Sequence, residues 1–163
     1  MILLRHAKSS HGDAGLSDHE RPLTSRGHRD APRVAQALAE LGWSPDRVLS
    51  SNAERTRETW AGMIPVFGHL PAEFTPNLYL ASVQTLLAEI AGGHQDASTL
   101  LVLGHNPGME NLAAHLSGEF HRMTTCNAAL LESQASDWKS ALAGPWTLQE
   151  FVRPKELKDR SVA

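Results

Sequence analysis

A single cysteine, Cys126, stands in 163 residues. One thiol excludes an internal disulfide and any cysteine-rich metal site. Long hydrophobic runs are missing too: no apolar stretch nears the roughly 20 residues that span a bilayer. Basic residues occur singly and the formal net charge is −3, so there is no basic stripe of the kind that grips nucleic acid. The first strand starts at Met1, which leaves no room for a signal or transit peptide. Together these absences lead to the expectation of a soluble, cytoplasmic protein with no nucleic-acid or membrane partner. Histidine, by contrast, is plentiful at nine residues. They are scattered, without His-x-x-x-His helix spacing or a Cys/His cluster, so neither a metal nor any other cofactor is expected. The length suits one domain over residues 1–163.

What is present is an alternation of short apolar runs and helical patterns. Ile2 to Leu4 is bounded by charge and reads as a short strand buried on both faces. Residues 8–23 are rich in turn formers, and a loop this long in a compact domain is usually functional. Ala31, Val34, Ala35, Leu38 and Leu41 recur at helical spacing, with Thr24 or Ser25 as cap and Gly42 as stop. Pro32 inside that pattern predicts a bend or a late start. Arg47 to Ser50 reads as a second strand. Ser51 to Glu54 reads as a capping box opening a helix that carries Arg55 and Arg57 in its first turns. Glu73 to Leu78 reads as a third strand interrupted by Pro76, and Ser82 opens a helix closed by Gly92-Gly93. Thr99 to Leu103 is the clearest buried strand. It runs into Gly104-His105-Asn106-Pro107-Gly108 and a helix with Met109, Leu112, Ala113 and Leu116 on its apolar face. Ala128 to Leu131 and Leu148 to Val152 read as closing strands, with Trp138 and Trp146 near their connection. This order predicts a three-layer α/β/α domain with a mostly parallel central sheet.

In such a sheet ligands bind past the carboxyl ends of the strands. Two strands end in histidine, at Arg5-His6 and Gly104-His105, and a third leads into the Arg55 helix. Two arginines and two histidines suit a phosphoryl group: guanidiniums grip its oxygens, and an imidazole can attack phosphorus and carry it covalently. On this reading Arg5 and Arg55 hold the oxygens, a protonated His105 adds a donor, and His6 is the nucleophile. Arg55 could instead pair with Glu58 on a helix surface. Lys8 could add positive field at the entrance, Asp18 lies on the functional-type loop, and Arg21 could brace that loop or touch substrate.

These residues fall in blocks that resemble the histidine phosphatase superfamily, with its phosphoglycerate-mutase-like fold, and within it the small phosphohistidine phosphatases of the SixA type. Leu4-Arg5-His6-Ala7-Lys8 resembles the signature of the phosphorylated histidine. Arg21-Pro22-Leu23-Thr24-Ser25-Arg26-Gly27 and Ser50-Ser51-Asn52-Ala53-Glu54-Arg55-Thr56 resemble two further blocks. Leu78-Tyr79 and Val102-Leu103-Gly104-His105-Asn106-Pro107 resemble the last two. Pro32 and the segment Met123-Thr124-Thr125-Cys126-Asn127 depart from the family pattern. The resemblance implies catalytic Arg5, His6, Arg55 and His105, with Lys8, Asp18, Arg21 and Asn106 toward the substrate. It implies a metal-independent phosphatase acting on phosphohistidine in a protein, such as a histidine phosphotransfer domain. The alternatives are a phosphatase of small phosphate esters by the same chemistry, or a phosphate- or phosphoprotein-binding module without turnover. No carboxylate stands in Asn77 to Ser82, where larger relatives keep a general acid; Asp18 and Glu110 are the remaining candidates.

Overall fold

The computed structural model describes residues 1–11 and 14–158. Six strands form one sheet in the order β3-β2-β4-β1-β5-β6: β1 (Ile2–Arg5), β2 (Arg47–Ser51), β3 (Ala72–Thr75), β4 (Leu100–Gly104), β5 (Ala128–Glu132) and β6 (Thr147–Val152). The β3-β2-β4-β1 block is parallel; β5 runs against β1, and β6 against β5. Among the described residues the five α-helices are α1 (Ser25–Glu40), α2 (Glu54–Phe67), α3 (Val83–Ala91), α4 (Gly108–Ser117) and α5 (Trp138–Ala143).

Strand side chains alternate between two cores, as period two requires. Ile2, Leu4, Val48, Leu101 and Leu103 pack with the apolar faces of α1 and α2. Leu3, Leu49, Leu100 and Val102 pack with α3, α4 and α5. The chain steps from β1 to β2 to β3 in one direction, so right-handed crossovers put α1 and α2 on one face. The return to β4 reverses direction and puts α3 on the other. That reversal leaves the carboxyl ends of β2, β4 and β1 side by side, with Arg5 opposite Gly104 and Ser50 opposite Leu103.

Three local expectations are corrected. Pro32 neither delays nor interrupts α1, which runs from Ser25 to Glu40. The helix is held there by close packing on α2, where a side chain on Gly62 would strike Ala31 Cβ at 3.1 Å, and that contact outweighs one missing hydrogen bond. Ser51 to Glu54 forms no capping box: the N-cap of α2 is Ala53, whose methyl has no oxygen to accept a helix N–H. The third strand stops at Thr75, and Pro76–Leu78 turn as a 3-10 segment capped by Thr75 Oγ1. A helix, α5, fills the connection between the last strands, with Asp137 as its cap. Gly42 does end α1: at φ 79° it lets Gly42 N–H reach the Ala39 carbonyl and Trp43 N–H reach that of Leu38, the two bonds of a Schellman motif.

The long loop closes back on the domain. Ser10 N–H donates to the Pro22 carbonyl, and Thr24 N–H to that of Lys8. A Cβ on Gly27 would lie 2.3 Å from Lys8 O, so the first turn of α1 needs a residue without a side chain there. Gly12 and Asp13, which were read as part of this loop, lie outside the described residues.

Candidate active site

His6 and His105 each sit one residue beyond their strands, His6 N–H donating to the Gly104 carbonyl at 3.1 Å. Both are buried, and their rings lie 5.3 Å apart. His6 Nδ1 is 2.7 Å from the Ala7 carbonyl oxygen. A carbonyl only accepts, so Nδ1 carries the proton and Nε2 keeps its lone pair. His105 Nε2 lies 2.8 Å from Ser51 Oγ. That hydroxyl already accepts from Ala53 N–H at 3.3 Å, and its own proton is free for His105 Nε2. His105 then presents N–H at Nδ1.

Arg55 is 2% exposed. It pairs not with Glu58 but with Asp18, donating to the Asp18 carbonyl at 2.7 Å and to Oδ2 at 3.1 Å. Glu58 instead accepts from Leu23 N–H. Arg5 donates through Nη1 to the Met123 carbonyl at 2.9 Å. Three nitrogens of this quartet are buried without a partner: Arg5 Nε, Arg55 Nε and His105 Nδ1. Buried polar atoms are almost always satisfied, so three orphans beside one nucleophilic nitrogen make a site built to receive acceptor oxygens.

The segment that departs from the family pattern supports β1 from the other side. Cys126, at φ 62°, donates its N–H to the Arg5 and His6 carbonyls, and burial pushes its thiol pKa up.

The substrate-side residues divide. Asp18 is a hub that accepts from Arg55, Arg21 and the Tyr79 hydroxyl. The Tyr79 bond first, then Arg55 and Arg21, hold its carboxyl down to about 2. It is therefore a carboxylate at neutral pH and not a resting proton donor. Arg21 braces the loop: its fork goes to Asp18, Ser9 Oγ, the Ser10 carbonyl and His11 Nδ1. Asn106 is also spent internally, with Nδ2 donating to Glu110 Oε2 and the Met123 carbonyl; Glu110 accepts Met123 N–H as well. Both residues therefore shape the pocket and do not present free donors to substrate. The Lys8 side chain has no bonded partner among the described residues. Tyr79 and His19 were missed as site residues. Tyr79 stands edge-on to both His105 and His19, at 5.3 and 4.8 Å, and His19 Nε2 lies 2.7 Å from Asn52 Oδ1. The Leu78-Tyr79 block was the available signal.

The expected imidazolium at His105 is corrected. Burial, then the charge of His6 and Arg55, pushes His105 down to about 3. Burial, with Arg55 and Arg5, does the same to His6. Both rings are neutral near pH 7, and the positive charge is that of the guanidiniums. In the unfolded chain each ring takes a proton near 6.5, whereas in the fold it resists protonation until about pH 3. Their stabilising contribution is therefore complete above about 6.5 and is lost as pH falls toward 3. The melting temperature should drop steadily between pH 7 and 4, and less in a variant with glutamine at both positions. Equal pH dependence in the two proteins would show that the rings are already charged.

Among the described residues no three His, Cys, Asp or Glu side chains gather into a metal-holding group, and no helix is long and apolar enough to cross a membrane. A phosphoglycerate-mutase-like α/β fold with two arginines and two histidines at adjoining strand ends defines a phosphate-handling protein. The sequence model of the histidine phosphatase superfamily (branch 1) matches residues 1–79. An uncharacterized chloroplastic protein of Arabidopsis thaliana is 42% identical, over 94% of this chain and 77% of its own length. An uncharacterized Mycobacterium tuberculosis protein is 39% identical over 70% of each. The structure of the protein histidine phosphatase SixA complexed with tungstate superposes with a TM-score of 0.82 at 26% identity, covering 96% of this chain and 98% of that one. One assigned to SixA from Agrobacterium tumefaciens gives 0.81 at 28%, covering 94% and 96%. The chain belongs to the histidine phosphatase superfamily, and its fold is that of the SixA phosphohistidine phosphatases.

Proposed function

We propose that this protein is a metal-independent phosphatase that removes phosphate from phosphohistidine on a protein through a phosphoenzyme at His6. The observation that carries the reading is the His6 Nε2 lone pair set beside the three buried, unpartnered donors of Arg5, Arg55 and His105. Tungstate in the SixA structure is a tetrahedral oxyanion, the shape those donors suit. His6 Nε2 attacks phosphorus, the N–P bond forms as the bond to the leaving group breaks, and the donors take up charge on the equatorial oxygens. Water then attacks the phosphohistidine, releasing phosphate and restoring His6.

The leaving group decides the substrate class. An alkoxide needs a proton from a general acid. Asp18 is ionised, and Glu110 is committed to Asn106 and Met123. A leaving imidazole or amine needs less help, since its nitrogen can take a proton from water as the P–N bond breaks and depart neutral, and a phenolate is a weak base that leaves as the anion. Leu16 and Leu80, exposed by 43% and 55%, lie near Asp18 and Tyr79 in sequence and offer apolar surface of the kind a protein substrate can cover. The test is kcat/KM, measured with a chelator present, on phosphohistidine protein, phospholysine, aryl phosphates and sugar phosphates. A steep fall with leaving-group basicity is expected. A flat profile, with alkyl-phosphate turnover lost in Asp18→Asn or Glu110→Gln, would establish a general acid and the small-ester reading. Loss of all activity to the chelator, restored by Mg²⁺ or Zn²⁺, would overturn metal independence.

A further inference from the structure

The tautomer of His6 depends on where the Ala7 carbonyl points, and that depends on the backbone around Ala7. The His6–Ala7 peptide is pinned on both sides. Its carbonyl accepts from Cys126 N–H at 2.9 Å. Its N–H, on Ala7, donates to Thr59 Oγ1 at 3.0 Å. Thr59 lies wholly buried in α2, one helical turn after Arg55. Its own proton goes to the Arg55 carbonyl at 2.6 Å, so its one donor is used and a lone pair accepts from Ala7 N–H. An i−4 bond of this kind is a common resting place for a threonine in a helix. Here the same oxygen also reaches 52 residues back in sequence to the backbone beside the nucleophile.

We infer that Thr59 is a positioning residue for His6. The bond sequence runs from the Arg55 carbonyl through Thr59 Oγ1 to Ala7 N–H; the next carbonyl, that of Ala7, then fixes His6 Nδ1–H. The helix that delivers the phosphate-gripping guanidinium thus also sets the proton position and aim of the attacking ring. Without the hydroxyl, Ala7 N–H is buried unpaired and the turn after β1 relaxes to satisfy it. His6 then loses its preference for the Nδ1–H form, and its Nε2 lone pair is no longer held toward phosphorus. Thr59 touches no substrate, so ground-state binding by Arg5, Arg55 and His105 persists.

The inference rests on His6 being the nucleophile, and the experiment separates the two. The ¹⁵N shifts of the His6 ring and the rate of phosphoenzyme formation are measured in wild type, Thr59→Val, Thr59→Cys and Thr59→Ser. Cysteine keeps the size but bonds weakly, so it reports even where valine fails to fold. In wild type the shifts should show Nδ1 protonated and Nε2 bare. In Thr59→Val and Thr59→Cys they should move toward a tautomer mixture, with phosphoenzyme formation slowed about ten- to a hundredfold, the usual effect of misplacing a reacting group. Inorganic phosphate should bind within about threefold of wild type, and Thr59→Ser should restore both shift and rate. Unchanged shifts and rates in folded Thr59→Cys would overturn the inference. So would a serine variant as slow as the cysteine one, since that marks lost methyl packing as the cause. Wild type that turns over without phosphate on His6 would instead overturn the proposed function.

Discussion

His6→Ala should lose essentially all turnover, by about 10⁴-fold or more, the scale seen when a nucleophile is removed from a unit that acts together. No neighbouring group can take its place. Cys126 is fully buried, and burial pushes its thiol pKa up, away from the reactive thiolate. His105 has Nε2 engaged with Ser51 and presents a proton at Nδ1. The Ser51 hydroxyl is committed between Ala53 and His105. Wild type, quenched during turnover, should carry an acid-labile, alkali-stable phosphate on His6, mapped by mass spectrometry. Phosphate mapped to any other residue would overturn the mechanism. The substitution removes a neutral buried ring, so the variant should remain folded and still bind inorganic phosphate.

Arg55→Ala should cost about 10²- to 10³-fold in kcat, the loss typical of one preorganised charge donor; Arg57→Ala should stay within about twofold. The two arginines are two residues apart on one helix and therefore point to different faces. Arg55 turns inward, 2% exposed, to Asp18 and the two histidines. Arg57 turns outward over the Phe74 ring at 4.5 Å, with Nε on the Asn52 carbonyl. Arg55→Lys should recover only part of the loss, since an ammonium lacks the planar fork that engages Asp18 and an oxyanion together. A kcat that falls for Arg57→Ala and not for Arg55→Ala would show that the other face of α2 does the chemistry.

The strands and the quartet were legible because their signals are local. Ile2 to Leu4 and Leu100 to Leu103 are apolar without interruption, which only a strand covered on both faces tolerates. Arg5 ends one such strand, and His6 and His105 come directly after theirs, so their place at the carboxyl edge followed from chain order alone. Several local signals point elsewhere than the structure does because the deciding partner is remote. Ser51 has the look of a helix cap, but it bonds a histidine 54 residues away. Arg55 and Glu58 have the spacing of a surface pair, yet Asp18 lies 37 residues from Arg55 and holds it. Pro32 predicts a late helix start or a bend, yet α1 runs through it from Ser25 to Glu40, packed closely against Gly62.

What the amino-acid order determined by itself was the layered fold, the identity of the two arginines and two histidines, and their place at strand ends. These follow from hydrophobic period, turn chemistry and position in the chain, all short-range properties. Only the tertiary structure decided the protonation and division of labour. Burial makes His105 a neutral donor instead of an imidazolium, and the Tyr79 hydroxyl with two arginines keeps Asp18 a carboxylate. Arg21 and Asn106 spend their donors on the scaffold. The reason is that desolvation and hydrogen-bond satisfaction depend on which groups are brought together in space, and those partners lie tens of residues apart along the chain.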